Sequence, residues 1–147
     1  MPLNIAIASD HGGFELKQEI LKQLTDLGVI YEDFGPFNAD AVDYPDYAFA
    51  VGTKVAAGEF DRGILICGTG VGISIAANKV KGVRCALVHD VFTAKATREH
   101  NDSNVLAMGG RVIGVELAKM IVATWLETDF MGAHHTDRIT KIAKYES

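Results

Sequence analysis

The sequence predicts an α/β protein of three layers, with a five-stranded parallel sheet between two layers of helices and a last helix at the C-terminal end. Three observations support this prediction. Short runs of apolar, often β-branched residues alternate five times with longer segments that have helical spacing. Several of these runs are apolar at nearly every position, which is typical of strands covered on both faces. Glycines and polar residues gather just after the runs.

The five apolar runs are the predicted strands. Their flanks contain Gly, Asp and Asn, the residues that usually end strands. The predicted strands span residues 4–8, 29–34, 63–67, 83–88 and 104–108.

Each strand is followed by a segment of helical spacing. In the first segment the apolar side chains recur every three or four residues, and Gly28 stands where a helix-ending glycine is expected. The predicted helices span residues 14–27, 47–57, 71–79, 92–99, 114–126 and 136–145. Residues 34–47, with two of the three prolines, are predicted to form a long loop, and loops of this length are often functional.

Length and composition limit the classes of protein to which this chain could belong. A chain of 147 residues is close to the size of one domain, and we expect a single domain over residues 1–147. The net charge of −5 argues against binding nucleic acid or anionic membranes through bulk charge. Two cysteines are too few for a disulfide scaffold, and no apolar run reaches about 18 residues. With no signal-peptide pattern at the start, a cytoplasmic protein is expected.

The most informative motif follows the third strand and reads Cys67-Gly68-Thr69-Gly70-Val71-Gly72. Alternate glycines let a backbone approach a ligand closely, and a helix beginning near Val71 would point unpaired N–H groups into the same space. Such a position favours the thiolate form of Cys67. The alternative is that Cys67 is a small buried apolar residue, which is the interpretation we favour for Cys85.

Other polar residues follow the remaining strands. Asp10 could cap the first helix or bind hydroxyl groups, and His11 could bind a phosphate. His100 has the side chain best suited to moving a proton near neutral pH. Arg111 and Arg138 could bind an anion, although isolated arginines are more often solvated surface residues.

The sequence suggests two other kinds of site only weakly. The Gly68–Gly72 segment has some likeness to a dinucleotide fingerprint with Asp90 as the ribose partner, but Ile73 stands where the third glycine belongs. The adjacent His134 and His135 are a weak metal-ligand pattern, since no further ligand lies at zinc-like spacing. We therefore expect no metal and no cofactor.

Across nearly its whole length the chain resembles the B-type ribose-5-phosphate isomerases, in the sugar-phosphate isomerase family that also contains galactose-6-phosphate and allose-6-phosphate isomerases. The long glycine-rich block is the most specific part of this resemblance. The matching motifs are Ser9-Asp10-His11-Gly12-Gly13, Asp43-Tyr44-Pro45, the block from Ile66 to Lys79, Arg98-Glu99-His100-Asn101-Asp102 and the segment from Gly109 to Gly114.

The resemblance implies a Rossmann-like fold and a homodimer whose active sites are shared between subunits, with a dimer of dimers as a further assembly. It implies that Cys67 is the base that moves a proton between C1 and C2, and that His100 of the partner subunit, assisted by Thr69, opens the sugar ring. The substrate-binding residues that it implies are Asp10, His11, Tyr44, Gly68, Gly70, Val71, Gly72, Asn101, Arg111, His134 and Arg138.

One departure from the family pattern concerns the last helix. Many members have Gly-Gly-Arg-His before it, whereas this chain has Gly132-Ala133-His134-His135. An imidazole at position 134 would hold a phosphate more weakly than a guanidinium, or would suit a sugar of another size.

The expected function is therefore the interconversion of ribose 5-phosphate and ribulose 5-phosphate through an enediolate. Two alternatives remain open from the sequence. The same chemistry could act on allose 6-phosphate, galactose 6-phosphate or a tetrose phosphate, or the chain could bind sugar phosphates without catalysis.

Overall fold

The computed structural model describes residues 3–147 and contains the predicted parallel sheet. The strands are β1 (Asn4–Ser9), β2 (Ile30–Asp33), β3 (Arg62–Cys67), β4 (Cys85–Leu87) and β5 (Val105–Gly109). Their order across the sheet is β2-β1-β3-β5-β4, and all four pairings are parallel. The carboxyl ends of the strands therefore share one edge, where Cys67 pairs with Gly109.

Six α-helices within residues 3–147 cover this sheet, and the predicted fold class is confirmed. They are α1 (Phe14–Asp26), α2 (Tyr44–Ala56), α3 (Val71–Ala77), α4 (Val91–Asn101), α5 (Val115–Glu127) and α6 (His134–Glu146). A single 3-10 turn, His11–Gly13, precedes α1. Gly28 follows α1 with a φ of +70°, as the sequence predicted for a helix-ending glycine.

Strand β1 shows how the two faces of the sheet form two cores. Ile5 and Ile7 point to the side covered by α1, α4 and α5, where Trp125 is fully buried. Ala6 and Ala8 point to the side covered by α2 and α3, together with Val51 and other small apolar residues. Alternate side chains of one strand thus enter opposite cores, which is why the runs are apolar at every position.

Most predicted boundaries differ from the structure by one to three residues, and two of these differences have a clear physical reason. Helix α2 begins at Tyr44 rather than at residue 47, because Pro45 lies in its first turn, where a missing N–H group leaves no bond unmade. Strand β4 is limited to Cys85–Leu87, because the backbone at Val83 makes a turn bond to Val80 instead of pairing with β5. The first change shortens the predicted long loop and places Tyr44 at a helix end.

The lengths and hydropathies of the helices show whether any of them could cross a membrane. Among residues 3–147, no helix is both long and apolar enough to cross a bilayer. The expectation of one domain over residues 1–147 stays a prediction.

Candidate active site

Cys67 is the last residue of β3 and lies at the carboxyl edge of the sheet. Its side chain is buried, with 4% of the residue exposed. The N–H group of Gly70 donates to its Sγ atom at 3.1 Å, and the Cys67 carbonyl accepts from the N–H group of Gly110 at 2.8 Å. The thiol is thus held between the turn that follows β3 and the turn that follows β5.

The turn after Cys67, here named the glycine turn (Gly68–Gly72), is tightly packed against the neighbouring strands. Gly70 has a φ of +79°, and a Cβ atom added there would lie 2.6 Å from Leu87 Cδ1 and 2.8 Å from the Met108 carbonyl carbon. Thr69 Oγ1 accepts a bond from the N–H group of Val71 at 3.2 Å. Glycine is therefore required at position 70 by both its conformation and its surroundings.

His11 and Arg111 lie beside this turn and line one cavity of about 250 Å³ with Gly12. A Cβ atom on Gly68 would lie 3.3 Å from Arg111 Nη1, and the Arg111 N–H group donates to the Gly68 carbonyl at 3.0 Å. The guanidinium therefore lies against the backbone that follows Cys67. The cavity offers an imidazole and a guanidinium to an anion, although the Glu15 carboxylate also lies on its wall.

The loop before α2 fixes which nitrogen of His11 faces outward. The N–H group of Val42 donates to His11 Nδ1 at 3.2 Å, so this nitrogen is an acceptor and Nε2 is left for a ligand. The buried Lys17 holds the start of the same loop, since its Nζ atom donates to Asp33 Oδ1 and to the Pro36 carbonyl, each at 2.7 Å.

Asp10 and Tyr44 complete the group at the carboxyl edge. Asp10 is buried, and its side chain accepts the N–H group of Gly13 at 3.1 Å, which is the capping role that the sequence allowed. A Cβ atom on Gly72 would lie 2.7 Å from Tyr44 Cζ, so the phenol ring packs directly on the glycine turn. Only a residue without a side chain leaves room for the Tyr44 ring.

The remaining predicted site residues form a second group on α4 and α6. Helix α4 starts at the carboxyl ends of the strands, after β4, and runs back to the amino ends, where β5 begins. Its last residues, His100 and Asn101, therefore lie near the amino ends of the strands. Its 11 residues span about 16 Å. Within one chain the structure therefore does not bring His100 and Asn101 to Cys67.

His100 joins a cluster that contains His135, a residue absent from the predicted substrate-binding set. The His135 ring stacks on His100 at a centroid distance of 4.5 Å and lies 4.1 Å from the His134 ring. Burial lowers the pKa of His135, and the charges of His134, His100 and Arg138 lower it further. His134, His100 and Arg138 are thus gathered around His135, whose only signal in the sequence was its place beside His134.

Asn101 also lines a larger cavity of about 430 Å³, between β4, α4 and α6. Cys85 lies on the wall of this cavity, and burial raises the pKa of its thiol to about 12. Cys85 is therefore a poor nucleophile near neutral pH, in agreement with its interpretation as a packing residue.

The segment before the last helix carries a strained alanine. Ala133 has a φ of +53° and a ψ of −132°, a conformation that costs a residue with a Cβ atom roughly 1–3 kcal/mol. We expect Ala133→Gly to raise the melting temperature by about 2–4 °C, because glycine adopts this conformation without strain. Thermal unfolding followed by circular dichroism measures this shift.

The matched control for this prediction is Ala57→Gly. Ala57 is exposed, caps the C-terminal end of α2 and has an ordinary φ of −78°. The same change should lower the melting temperature there, because glycine gains freedom in the unfolded chain. Equal decreases at both positions would contradict the strain at Ala133.

Comparison with known proteins relates this site to a family. The family model described as Ribose/Galactose Isomerase matches residues 5–142. The chain belongs to this family. The Bacillus subtilis protein YwlF is 59% identical over 98% of this chain and 97% of its own, and ribose-5-phosphate isomerase B of Escherichia coli is 51% identical over 97% and 95%. D-erythrulose-4-phosphate isomerase of Pectobacterium atrosepticum is 40% identical over 98% and 95%.

Solved structures of family members agree closely with this fold. Ribose-5-phosphate isomerase B of Clostridium thermocellum has a TM-score of 0.96 at 51% identity, covering 98% of this chain and 97% of that one. The Mycoplasma genitalium enzyme with bound ribulose-5-phosphate has a TM-score of 0.95 at 47% identity, with 99% and 97% covered. The predicted family and the prediction of a sugar-phosphate isomerase are thereby confirmed.

Proposed function

We propose that this isomerase interconverts ribose 5-phosphate and ribulose 5-phosphate through an enediolate. The observation that carries the proposal is the Cys67 thiol under the glycine turn, beside the cavity that His11 and Arg111 share. An aldose–ketose isomerase needs a base at a carbon next to a carbonyl, donors for the developing oxyanion and a separate grip on the phosphate. We assign all three to residues at the carboxyl edge of the sheet.

The phosphate is assigned to the cavity of His11 and Arg111. His11 donates through Nε2 because Val42 occupies Nδ1, and Arg111 supplies a permanent positive charge. This grip holds the substrate away from the reacting carbons, so that binding energy positions C1 and C2 over the thiol. Asp10 and Tyr44, at the rim of the same cleft, are assigned to the sugar hydroxyl groups.

The proton transfer is assigned to Cys67. Its thiolate takes the proton from C2 of the open-chain aldose, and the electrons of that bond form the C1=C2 double bond as negative charge moves to O1. Backbone N–H groups of the segment Gly68–Gly72 hold that oxygen. Cys67 then returns the proton to C1, while the O2 proton moves to O1, which leaves the carbonyl at C2.

Ring opening is assigned to His100 of the partner subunit, with Thr69 assisting. An imidazole can give a proton to the ring oxygen and take one from the anomeric hydroxyl near neutral pH. Asn101, His134 and Arg138 of the partner subunit are assigned to the sugar and its phosphate in the same arrangement.

We propose a homodimer because Cys67 and His100 lie apart within a single chain. His100 lies near the sheet edge opposite Cys67, so a second copy is needed to complete the site. Exposed apolar side chains lie where such a copy could dock. Leu87 on the edge strand β4 contacts the glycine turn, Val71 opens α3, and Phe92 is 82% exposed at the start of α4. Apolar side chains gathered at one edge are typical of protein interfaces.

Mixing two inactive variants tests the shared site. Cys67→Ala and His100→Ala homodimers are each expected to be nearly inactive with the cyclic sugar. After the two chains are unfolded together and refolded at equal amounts, about a quarter of the wild-type sites should return, because half of the dimers are mixed and each has one intact site. If both residues of a site came from one chain, mixing would restore nothing, and an active monomer in sedimentation would also contradict the proposal.

A tetrose phosphate is the second candidate substrate. Two relatives, 40% and 45% identical to this chain, are named as D-erythrulose-4-phosphate isomerases. His134, which replaces the arginine of many family members, is the residue most suited to alter the phosphate grip. Allose 6-phosphate and galactose 6-phosphate remain further alternatives from the sequence.

A panel of purified substrates tests the proposed function. The kcat/KM values for ribose 5-phosphate, D-erythrulose 4-phosphate, allose 6-phosphate and galactose 6-phosphate are compared for the wild-type protein. We expect ribose 5-phosphate to give the largest value. A larger value for another sugar would keep the chemistry and replace the substrate, and His134→Arg would then show whether position 134 sets the preference. The cytoplasmic location stays a prediction.

A further inference from the structure

His89 lies at the carboxyl edge of the sheet and has no part in the mechanism proposed above. It follows β4 by two residues, and its ring is partly buried. Its Nε2 atom accepts a hydrogen bond from the N–H group of Gly109, at 2.9 Å. Gly109 is the last residue of β5 and the sheet partner of Cys67, so His89 bonds to the strand next to the reactive thiol.

This bond extends the hydrogen-bonded pairing of β4 with β5 beyond the last backbone bond between the two strands. The Val88 N–H group donates to the Ala107 carbonyl at 3.0 Å, and in a longer parallel pair the Gly109 N–H group would donate back to the backbone of β4. The imidazole of His89 replaces this backbone group as the acceptor for the Gly109 N–H group. Without it, the Gly109 N–H group would lose its acceptor at a partly buried position, which is costly.

The peptide held in this way supports the glycine turn. A Cβ atom on Gly109 would lie 2.6 Å from the Thr69 carbonyl oxygen, and one on Gly70 would lie 2.8 Å from the Met108 carbonyl carbon. The peptide between Met108 and Gly109 is therefore in direct contact with the turn at Thr69 and Gly70. Movement of this peptide would displace the N–H groups above Cys67.

We propose that His89 is a positioning residue, whose Nε2 atom fixes the Met108–Gly109 peptide and, through it, the turn at Thr69 and Gly70 that faces the reacting oxygen. This inference rests on the proposed function. A neutral ring that accepts at Nε2 carries its proton on Nδ1. Burial lowers the pKa of His89 while Asp90 acts against it, and the net lowering favours the neutral ring.

Two substitutions separate this role from simple packing. His89→Leu fills the space and removes the acceptor, whereas His89→Gln places a side-chain oxygen at a similar reach. For His89→Leu we expect kcat to fall about 10-fold and KM to change less than about twofold, because the turn acts on the transition state and the phosphate grip lies elsewhere. His89→Gln should restore kcat to within about threefold of the wild type.

Three kinetic results would overturn the proposal. They are an unchanged kcat for His89→Leu, an equal loss for His89→Gln, and a loss confined to KM. All rates are measured with the sugar phosphate that the wild-type protein turns over best, so a change of preferred sugar leaves the test intact.

A spectroscopic measurement tests the contact without any turnover. In ¹⁵N-labelled wild-type protein at pH 7 we expect His89 to be the Nδ1–H tautomer, and the Gly109 amide proton to exchange faster in His89→Leu than in His89→Gln. An Nε2–H tautomer, or equal exchange in both variants, would overturn the proposal. If no sugar phosphate is turned over, the proposed function fails, and an Nδ1–H tautomer would still support the contact.

Discussion

Replacing Cys67 with alanine should lower kcat by about 10³-fold or more, while binding of the sugar phosphate stays nearly unchanged. In the proposed mechanism the thiol takes the proton, and its Sγ atom is held by the Gly70 N–H group at 3.1 Å. The proposed phosphate grip at His11 and Arg111 does not use the thiol, so the binding affinity should persist. Steady-state kinetics and calorimetric binding of ribose 5-phosphate measure the two effects separately.

Two further variants isolate the chemistry of the thiol. Cys67→Ser keeps a similar shape but replaces the thiolate with a hydroxyl group, so it should lose nearly as much activity as Cys67→Ala. Cys85→Ala is the matched control. Burial raises the pKa of Cys85 to about 12, and its hydrogen bonds with Asn78 use only its backbone. Its activity should stay within about twofold of the wild type. Substantial turnover by Cys67→Ala would contradict Cys67 as the base.

The largest effect on stability is expected at Gly13, where the first turn touches β3. A Cβ atom there would lie 2.5 Å from the carbonyl carbon of Ile66 and closer still to its oxygen. The neighbour is the backbone of a central strand, which cannot move aside cheaply. We expect Gly13→Ala to lower the free energy of unfolding by about 3 kcal/mol, or the melting temperature by about 6–12 °C.

Gly114→Ala is a closely matched control for this substitution. Gly13 and Gly114 each stand at the N-cap of an α-helix, neither makes a side-chain cap, and neither has a positive φ. No atom lies within 4 Å of a Cβ atom built on Gly114. Its change should cost less than about 1 kcal/mol. Similar melting temperatures for the two variants would contradict the close approach of Gly13 to β3.

The close approach at Gly13 also explains why the first loop lies at the candidate site. The Asp10 N–H group donates to the Ile66 carbonyl at 3.1 Å, so β1 and β3 stay paired up to the residue before Cys67. Asp10 and His11 therefore emerge beside the thiol. The sequence predicted these residues as site candidates because both follow a strand, and the sheet register then determines which of them are neighbours.

Much of the fold was predictable because the local signals are strong. Strands buried on both faces need apolar residues at every position, and this pattern revealed β1 and β3. The boundaries were less predictable. Pro45 resembles a loop residue until its place in the first turn of α2 is known, and Val83 has strand character but makes a turn bond. In both cases the neighbours in space decide the local structure.

The candidate site likewise has parts that the sequence predicted and parts that depend on the tertiary structure. The sequence alone determined the α/β class, the glycine turn after Cys67 and the candidates at the strand ends, because these depend on residue type and nearby spacing. The separation of His100 from Cys67 within one chain agrees with the place on the partner subunit that the family resemblance implied for His100. Only the tertiary structure decided that His135 packs on His100 and that His89 accepts a bond from Gly109. These facts depend on the strand order and on the direction of α4, which arise from contacts between residues distant in the chain.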